Sequence, residues 1–437
     1  MISRSSLCLM ASLVRDGAIT PTELVEEHLR QIERRNPAVN AFVAVRGEEA
    51  VEEARALDRG DARGLLYGVP VTVKDSFDIT GMPTRVGSLS RPETPAAEDA
   101  TVVARLRRAG AIILGRTNTP ELLSSYDTDN QITGRTNNPW NLERTPGGSS
   151  GGEAAAIAAY CSPGGIGSDG GGSIRIPAHF CGIAGFKPTP GRIPGTGHFP
   201  SLGHPAGLMT AVGPMARSAK DLRLLFSALA GYDAQDPFGV PAPLREPRLG
   251  QMRIGVWEQF YAVPVHPEIR QAVARSAAML EAQGFTVATF EPRGIERAPN
   301  VWAFLFSQWP NQPAETTAEQ VLINLAARDR MRAAFLRQLE AEAIAALAAP
   351  VFGVTAYRHG ETRFDVEGRD IGFFQAAMPV VVANVLGLPA IALPMALSSE
   401  GLPIGVQLIG RPYEDELLLE LAIRLEEARG VWQGIVE

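Results

Sequence analysis

The chain has 437 residues, 45% of them apolar, and a net charge of −7. That is core enough for one large domain or two ordinary ones, and the acidic balance argues against a nucleic-acid partner. Three cysteines, Cys8, Cys161 and Cys181, are too few and too scattered for a disulfide framework or a zinc site, so a reducing, cytoplasmic compartment is expected, and no apolar run nears the ~18 residues of a membrane span.

Residues 1–16 have a short, interrupted apolar part closed by Arg15 and Asp16, which predicts a first amphipathic helix rather than a signal peptide. Thr20-Pro21-Thr22-Glu23 is a capping box with proline at the first helical position. The helix it opens carries Leu24, Val25, Leu29 and Ile32 and is predicted to stop before Asn36-Pro37. A strand over 40–45, a charged helix over 48–58 and a β-branched strand over 69–75, with Lys74 at its end, come next. A helix over 99–109 and a buried strand over 111–114 continue an alternation that signals an α/β layered fold. Residues 118–126 begin a short helix that opens into the polar stretch 127–138.

Further on, an Ala-rich helical run covers 153–160, and Ser218 caps a helix through Leu229. The Pro-rich stretch 233–247 reads as a surface connection, followed by a strand (253–256), a helix (266–283) and a strand (285–290). Residues 295–348 are predicted mainly helical, with an amphipathic run over 319–347. A helix or helix pair over 371–386, buried strands over 388–393 and 404–408, and a closing helix over 414–427 complete the chain.

The chemistry points to two serines in glycine beds: Ser149 within 147–152, and Ser173 after Gly170, Gly171 and Gly172. Glycine lets a ligand approach backbone N–H groups closely, and a hydroxyl beside free N–H donors has the parts of a nucleophile with its oxyanion hole. Lys74 leaves a buried strand; desolvation penalises its charged form and makes a lysine a general base near neutrality. Taken singly, each has a bland reading, a flexible loop or a solvated lysine. Both Ser149 and Ser150 also satisfy Gly-x-Ser-x-Gly, but that elbow needs a preceding strand and a downstream histidine. Thr145-Pro146-Gly147-Gly148 is a poor strand, and the six histidines form no motif. Gly165-x-Gly167-x-x-Gly170 matches a dinucleotide fingerprint, yet leads into 171–174 instead of opening a helix. His179 reads as a core or loop histidine and Lys187 as a solvated loop lysine.

Together, Gly-Gly-Ser-Ser-Gly-Gly at 147–152, Gly-Gly-Ser-Ile-Arg-Ile-Pro at 171–177, and spacings of 75 residues from Lys74 to Ser149 and 24 from Ser149 to Ser173 resemble the amidase signature family. The similarity runs on to Gly-Leu-Pro-Ile-Gly-Val-Gln-Leu-Ile-Gly at 401–410. The resemblance implies an α/β fold, the amidase signature fold, with a large mixed twisted β-sheet flanked by helices on both faces. It implies a single amidase domain over 1–437, its signature core at 65–215 and its variable substrate-channel region at 232–348. Ser173 is then the nucleophile, Ser149 (after a cis Gly148–Ser149 peptide) the relay and Lys74 the base of an amide hydrolase acting through an acyl-enzyme. Gly170, Gly171 and Gly172 form the oxyanion hole. Ser150 supports the relay and the lysine by hydrogen bonding, Asp169 and Arg175 brace the glycine loop as a charged pair, and Leu123, Ser124 and Ser125 line the substrate pocket.

Phe304, Phe306, Trp309 and Phe335 are candidates for the acyl channel, each weighed against an ordinary core role. No metal and no cofactor is expected. The expected substrate is a small amide, hydrophobic or aryl, with ester and carbamate hydrolysis open to the same machinery; family habit makes a homodimer plausible. The competing reading is the glutamine-hydrolysing subunit of a tRNA-dependent amidotransferase. Such subunits usually carry Gln where this chain has Ile176, and Gly-Ser-Ala where it has Gly152-Glu153-Ala154, so the free-standing amidase is favoured.

Overall fold

The computed structural model describes residues 2–60, 64–307 and 316–435; Trp309 lies outside them. In chain order the strands are β1 (Phe42–Val45), β2 (Pro70–Lys74), β3 (Ile112–Thr117), β4 (Gly164–Asp169), β5 (Ala184–Lys187), β6 (Ala211–Ala216), β7 (Arg253–Val256), β8 (Thr286–Thr289), β9 (Ile344–Pro350), β10 (Arg363–Val366), β11 (Arg369–Gly372), β12 (Ala390–Leu397) and β13 (Pro403–Gly410). Eleven of them form one mixed sheet in the order β1-β3-β2-β4-β6-β5-β12-β13-β9-β7-β8, and β10 and β11 pair as a hairpin beside it. The α/β fold expected from the sequence is therefore the fold observed. The sheet is parallel across β3-β2-β4 and β9-β7-β8 and antiparallel through its centre.

Side chains of a strand alternate between faces, and the sheet buries both. Val71, Val73, Ala346, Ala348, Ile391 and Leu393 enter one core layer, covered by the helices Leu7–Arg15, Thr101–Arg108, Ala219–Leu229, Pro267–Ala282 and Asp415–Arg429. Their strand neighbours Leu347, Ala349, Ala390 and Ala392 enter the other. That layer meets the helices Arg175–Cys181, Ala298–Trp302, Ala318–Ala341 and Met378–Val385. Among the described residues no helix is long and apolar enough to cross a membrane.

Several elements differ from expectation. The helix opened by the capping box runs through Pro37 to Val39. Pro37 falls in the last turn, where it forfeits only the one helix bond its N–H would have made to Glu33 O, and Asn36 closes the end by accepting from the N–H groups of Ala41 and Phe42. The amphipathic run to 347 overshoots: the helix stops at Ala341, and Ile344–Pro350 is strand β9, paired with β13 and β7. Sheet pairing outweighs the helical preference of its alanines. The stretch from 371 begins as the end of β11 before its two short helices. Lys187, read as a solvated loop residue, is fully buried at the end of β5, between β6 and β12.

Candidate active site

β2 is buried along its whole length. With Val71 and Val73 in one core layer, Thr72 and Lys74 turn to the opposite face, under the helix Gly151–Ala158. Thr72 Oγ1 there donates to Glu153 Oε1 at 2.5 Å, and Thr117 Oγ1 to Glu153 Oε2 at 2.7 Å. Lys74 Nζ is enclosed, 2.8 Å from Ser149 Oγ, 3.1 Å from Ser168 Oγ and 3.5 Å from Ser168 O. Burial lowers the lysine pKa to about 7, opposed by the charges of Asp169 and Glu153. An amine at that value is partly neutral near pH 7 and can take up a proton. Burial in turn raises the Glu153 carboxyl above the usual range, against the bonds from Thr72 and Thr117 and the charge of Lys74.

Ser149 follows a cis peptide bond from Gly148. A Cβ on Gly148 would stand 2.6 Å from the Ser125 carbonyl oxygen, so only glycine fits there. Ser173 keeps a small exposed area, whereas Ser149 and Lys74 are sealed. The Ser150 N–H donates to Ser173 O at 3.1 Å, joining the two serine beds through backbone. Among the described residues no hydrogen bond links the Ser149 and Ser173 hydroxyls. Ser150 Oγ donates to Ser168 O at 3.4 Å and does not reach Lys74; besides Ser149, the side chain that does is Ser168.

Asp169 closes β4 and organises the glycine loop. Its carboxylate accepts from Gly172 N at 2.7 Å, Ile174 N at 3.3 Å and Asn384 Nδ2 at 2.9 Å. Arg175 reaches it twice, Nε to Oδ2 at 2.9 Å and Nη2 to Oδ1 at 3.1 Å. The guanidinium also donates to Val380 O, Gln407 Oε1 and Asn384 Oδ1. Burial pushes the Asp169 carboxyl up, but Arg175, Lys187 and Asn384 together hold it well below the usual carboxylate range. A buried charge with this many partners is compensated.

Two aromatic residues pin the loop from outside. Trp302 Nε1 donates to Gly170 O at 2.8 Å and Tyr126 Oη to Gly171 O at 2.5 Å. In a trans peptide the N–H points opposite to the carbonyl, so the Gly171 N–H faces away from Trp302 and the Gly172 N–H faces Asp169. Among the described residues the N–H groups of Gly170, Gly171 and Ser173 have no acceptor. Gly172, expected as an oxyanion donor, has its N–H on Asp169 instead.

Of the expected pocket residues, Leu123 ends a short 3-10 turn, Glu121–Leu123, and Ser124 and Ser125 are exposed beside it. Ser124 Oγ donates to Glu121 O at 2.7 Å, and Ser125 Oγ accepts from Asp127 N at 3.0 Å. The helix expected from 118 shrinks to this turn. Phe306 stacks on Trp302 with ring centroids 5.6 Å apart, and a Cβ on Gly170 would overlap its ring. Phe304 is partly buried against the second core layer, and Phe335 packs on Phe290 in that core. His179 is a core histidine between Val354 O and Gly405 N. The Gly-x-Gly-x-x-Gly match lies largely on β4, and a helix does begin soon after it, at Arg175. The motif is therefore strand, not a strand-to-helix turn.

Sequence reasoning missed Ser168, His198, Tyr126, Trp302 and Asn384. A buried Tyr or Trp signals that its polar atom needs a partner, but the sequence does not say which.

A family model described as Amidase matches residues 23–318 and 300–419. Indoleacetamide hydrolase of Bradyrhizobium diazoefficiens is 34% identical, over 96% of this chain and 86% of that protein. A glutamyl-tRNA(Gln) amidotransferase subunit of Trichodesmium erythraeum is 31% identical, over 93% of this chain and 94% of its own. Among solved structures, a bacterial aryl acylamidase of the amidase signature enzymes aligns with a TM-score of 0.87 at 27% identity, over 97% of this chain and 96% of that one.

Proposed function

The chain belongs to the amidase signature family and is an amide hydrolase; from there we propose that Ser173 is its nucleophile, Ser149 its proton relay and Lys74 its base. The observation that carries this reading is the enclosed Lys74 Nζ, 2.8 Å from Ser149 Oγ. Ser173 Oγ bonds to the amide carbon while its proton passes to Ser149 Oγ and the Ser149 proton passes to Nζ. The hydrogen bond between the two hydroxyls forms with substrate, as such contacts often tighten only in the complex. The N–H groups of Gly170, Gly171 and Ser173 receive the oxyanion, each worth roughly 3–4 kcal/mol to the transition state. The lysine then returns a proton through Ser149 to the leaving nitrogen and the C–N bond breaks. Water, activated by the same relay, cleaves the acyl–Ser173 ester and releases the acid.

The substrate is a hydrophobic or aryl amide. Trp302 and Phe306 form an aromatic wall against Gly170 and Gly171, and one solved relative is an aryl acylamidase. Activated esters and carbamates present the same carbonyl to the same donors. The chain acts as one amidase domain in the cytoplasm. Labelling with a fluorophosphonate, read by peptide mass spectrometry, tests the assignment: the label is expected on Ser173 and absent in Lys74→Ala. A label on another serine, or one that survives in Lys74→Ala, overturns it. The likeness to the glutamyl-tRNA(Gln) amidotransferase relative supports a second reading, glutamine hydrolysis within a complex. Glutaminase activity of the purified chain, with no turnover of anilides, would favour that reading.

A further inference from the structure

The steps above make no use of His198, yet it is buried one side chain away from Lys74. Its loop pairs with the residues just after β2: Asp78 N–H donates to Gly197 O at 2.9 Å and Phe199 N–H to Ser76 O at 2.7 Å. The ring stands edge-on to Phe77 with centroids 5.0 Å apart. Nδ1 lies 2.7 Å from Pro200 O and Nε2 lies 2.9 Å from Ser168 Oγ, which is itself 3.1 Å from Lys74 Nζ.

The direction of each bond follows from what its atoms can do. A carbonyl oxygen only accepts, so Nδ1 carries the proton. Burial keeps the imidazole neutral, its pKa pushed down to about 3 even against the bond to Pro200. Nε2 is then a lone pair, and the single hydroxyl proton of Ser168 points to it. Toward Lys74, Ser168 offers only acceptors, its Oγ and its carbonyl oxygen. A neutral amine has two N–H groups and one lone pair. Both N–H groups find acceptors on Ser168, and the lone pair is left for the third neighbour, Ser149 Oγ. Without an acceptor at position 198, the Ser168 hydroxyl is free to turn and donate to Nζ, capping the lone pair that Ser149 needs.

We propose that His198 is a positioning residue which, through Ser168, sets the hydrogen-bond direction so that the Lys74 lone pair faces Ser149. This rests on the reading of Lys74 as the base. The charged groups that bear on Nζ are Asp169 at the end of β4 and Glu153 on the helix Gly151–Ala158; the charge that bears on His198 is that of Lys74.

The test is the second-order rate of alkyl fluorophosphonate labelling at Ser173 as a function of pH, which needs the base but no knowledge of the amide. His198→Phe keeps a ring against Phe77 and removes the acceptor. Its plateau rate is expected to fall about tenfold or more, within the range of general-base contributions. The acid limb is expected to move to lower pH, because a Ser168 hydroxyl able to donate stabilises the neutral amine over the ammonium. Ser168→Ala also slows labelling, and adding His198→Phe to it slows it no further, since residues acting through one group are not additive. Wild-type labelling by folded His198→Phe, or losses that multiply in the double variant, overturns the proposal. A measurement without mutation stands beside these: ring 15N shifts of His198 are expected to show Nδ1 protonated and Nε2 bare, and the opposite tautomer refutes it. Labelling that survives in Lys74→Ala sinks the base assignment itself; labelling lost there but unchanged in His198→Phe sinks only the role of His198.

Discussion

Trp302 donates its indole N–H to the carbonyl of Gly170 at 2.8 Å, across 132 residues of sequence. The carbonyl it holds belongs to the same peptide plane as the Gly171 N–H, so the indole fixes where that donor points. Trp302→Phe keeps an aromatic ring beside Phe306 but lets this plane rotate. Deleting an oxyanion donor costs roughly 10²–10³ in kcat, so loosening one should cost about tenfold. Steady-state kinetics on an anilide should put that loss in kcat, because the proposed contact from the Gly171 N–H to the oxyanion is made only in the transition state. A rise in KM alone would make Trp302 a substrate-binding residue instead.

Lys74→Ala should cost more on an anilide than on an activated ester of the same acid. Both substrates lose the proposed base, but only the amine leaving group must also be protonated, and general acid help is worth about 10²–10⁴-fold. Rates on the matched pair give the answer, and equal losses would remove Lys74 as the acid. EDTA should leave both wild-type rates unchanged, since among the described residues no three His, Cys, Asp or Glu side chains gather as a metal site.

The acid limb of kcat/KM should fall near pH 7, with activity rising as pH increases through it, because Lys74, the proposed base, would work as the neutral amine and burial lowers its pKa to about 7. Glu153 opposes that shift. Glu153→Gln removes a negative charge that favours the ammonium, so the limb should move to lower pH. A limb that stays in place would mean that Glu153 is already neutral at the pH of the limb, as its own raised pKa allows.

The parts legible in the sequence were those written locally. The β-branched run of β2 and the glycine beds around Ser149 and Ser173 are contiguous, and their chemistry follows from residue type. β4 is hidden in the sequence because three of its six residues are glycines with no side chain: a Cβ on Gly165 would collide with the Thr72 carbonyl and Glu153. Strand propensity, which reads side-chain packing, has nothing to register there. β9 was hidden by alanines that favour helix until the sheet claims them. Ser168, His198 and Trp302 were illegible for another reason. Their partners lie 94, 30 and 132 residues away, and only the closed fold brings them together.

Lys187 offers a prediction about stability. Among the described residues its ammonium nitrogen has a hydrogen bond to Pro188 O alone. Burial lowers its pKa from 10.5 to about 7, with Arg175 and Arg332 adding to the shift and Asp169 and Asp415 opposing it. Between those two values the unfolded chain holds a proton at this site that the folded chain does not, so stability from this group rises with pH across the window. Below about pH 7 the folded protein carries the full penalty. Lys187→Met keeps most of the stem and removes the amine. It should raise stability by about 1–4 kcal/mol near pH 6, the range for replacing buried charge with packed apolar groups. The gain should shrink as pH climbs toward 10. Urea midpoints of both proteins at the two ends of the window check this, and an equal gain at both ends would mean that Lys187 keeps its proton on folding.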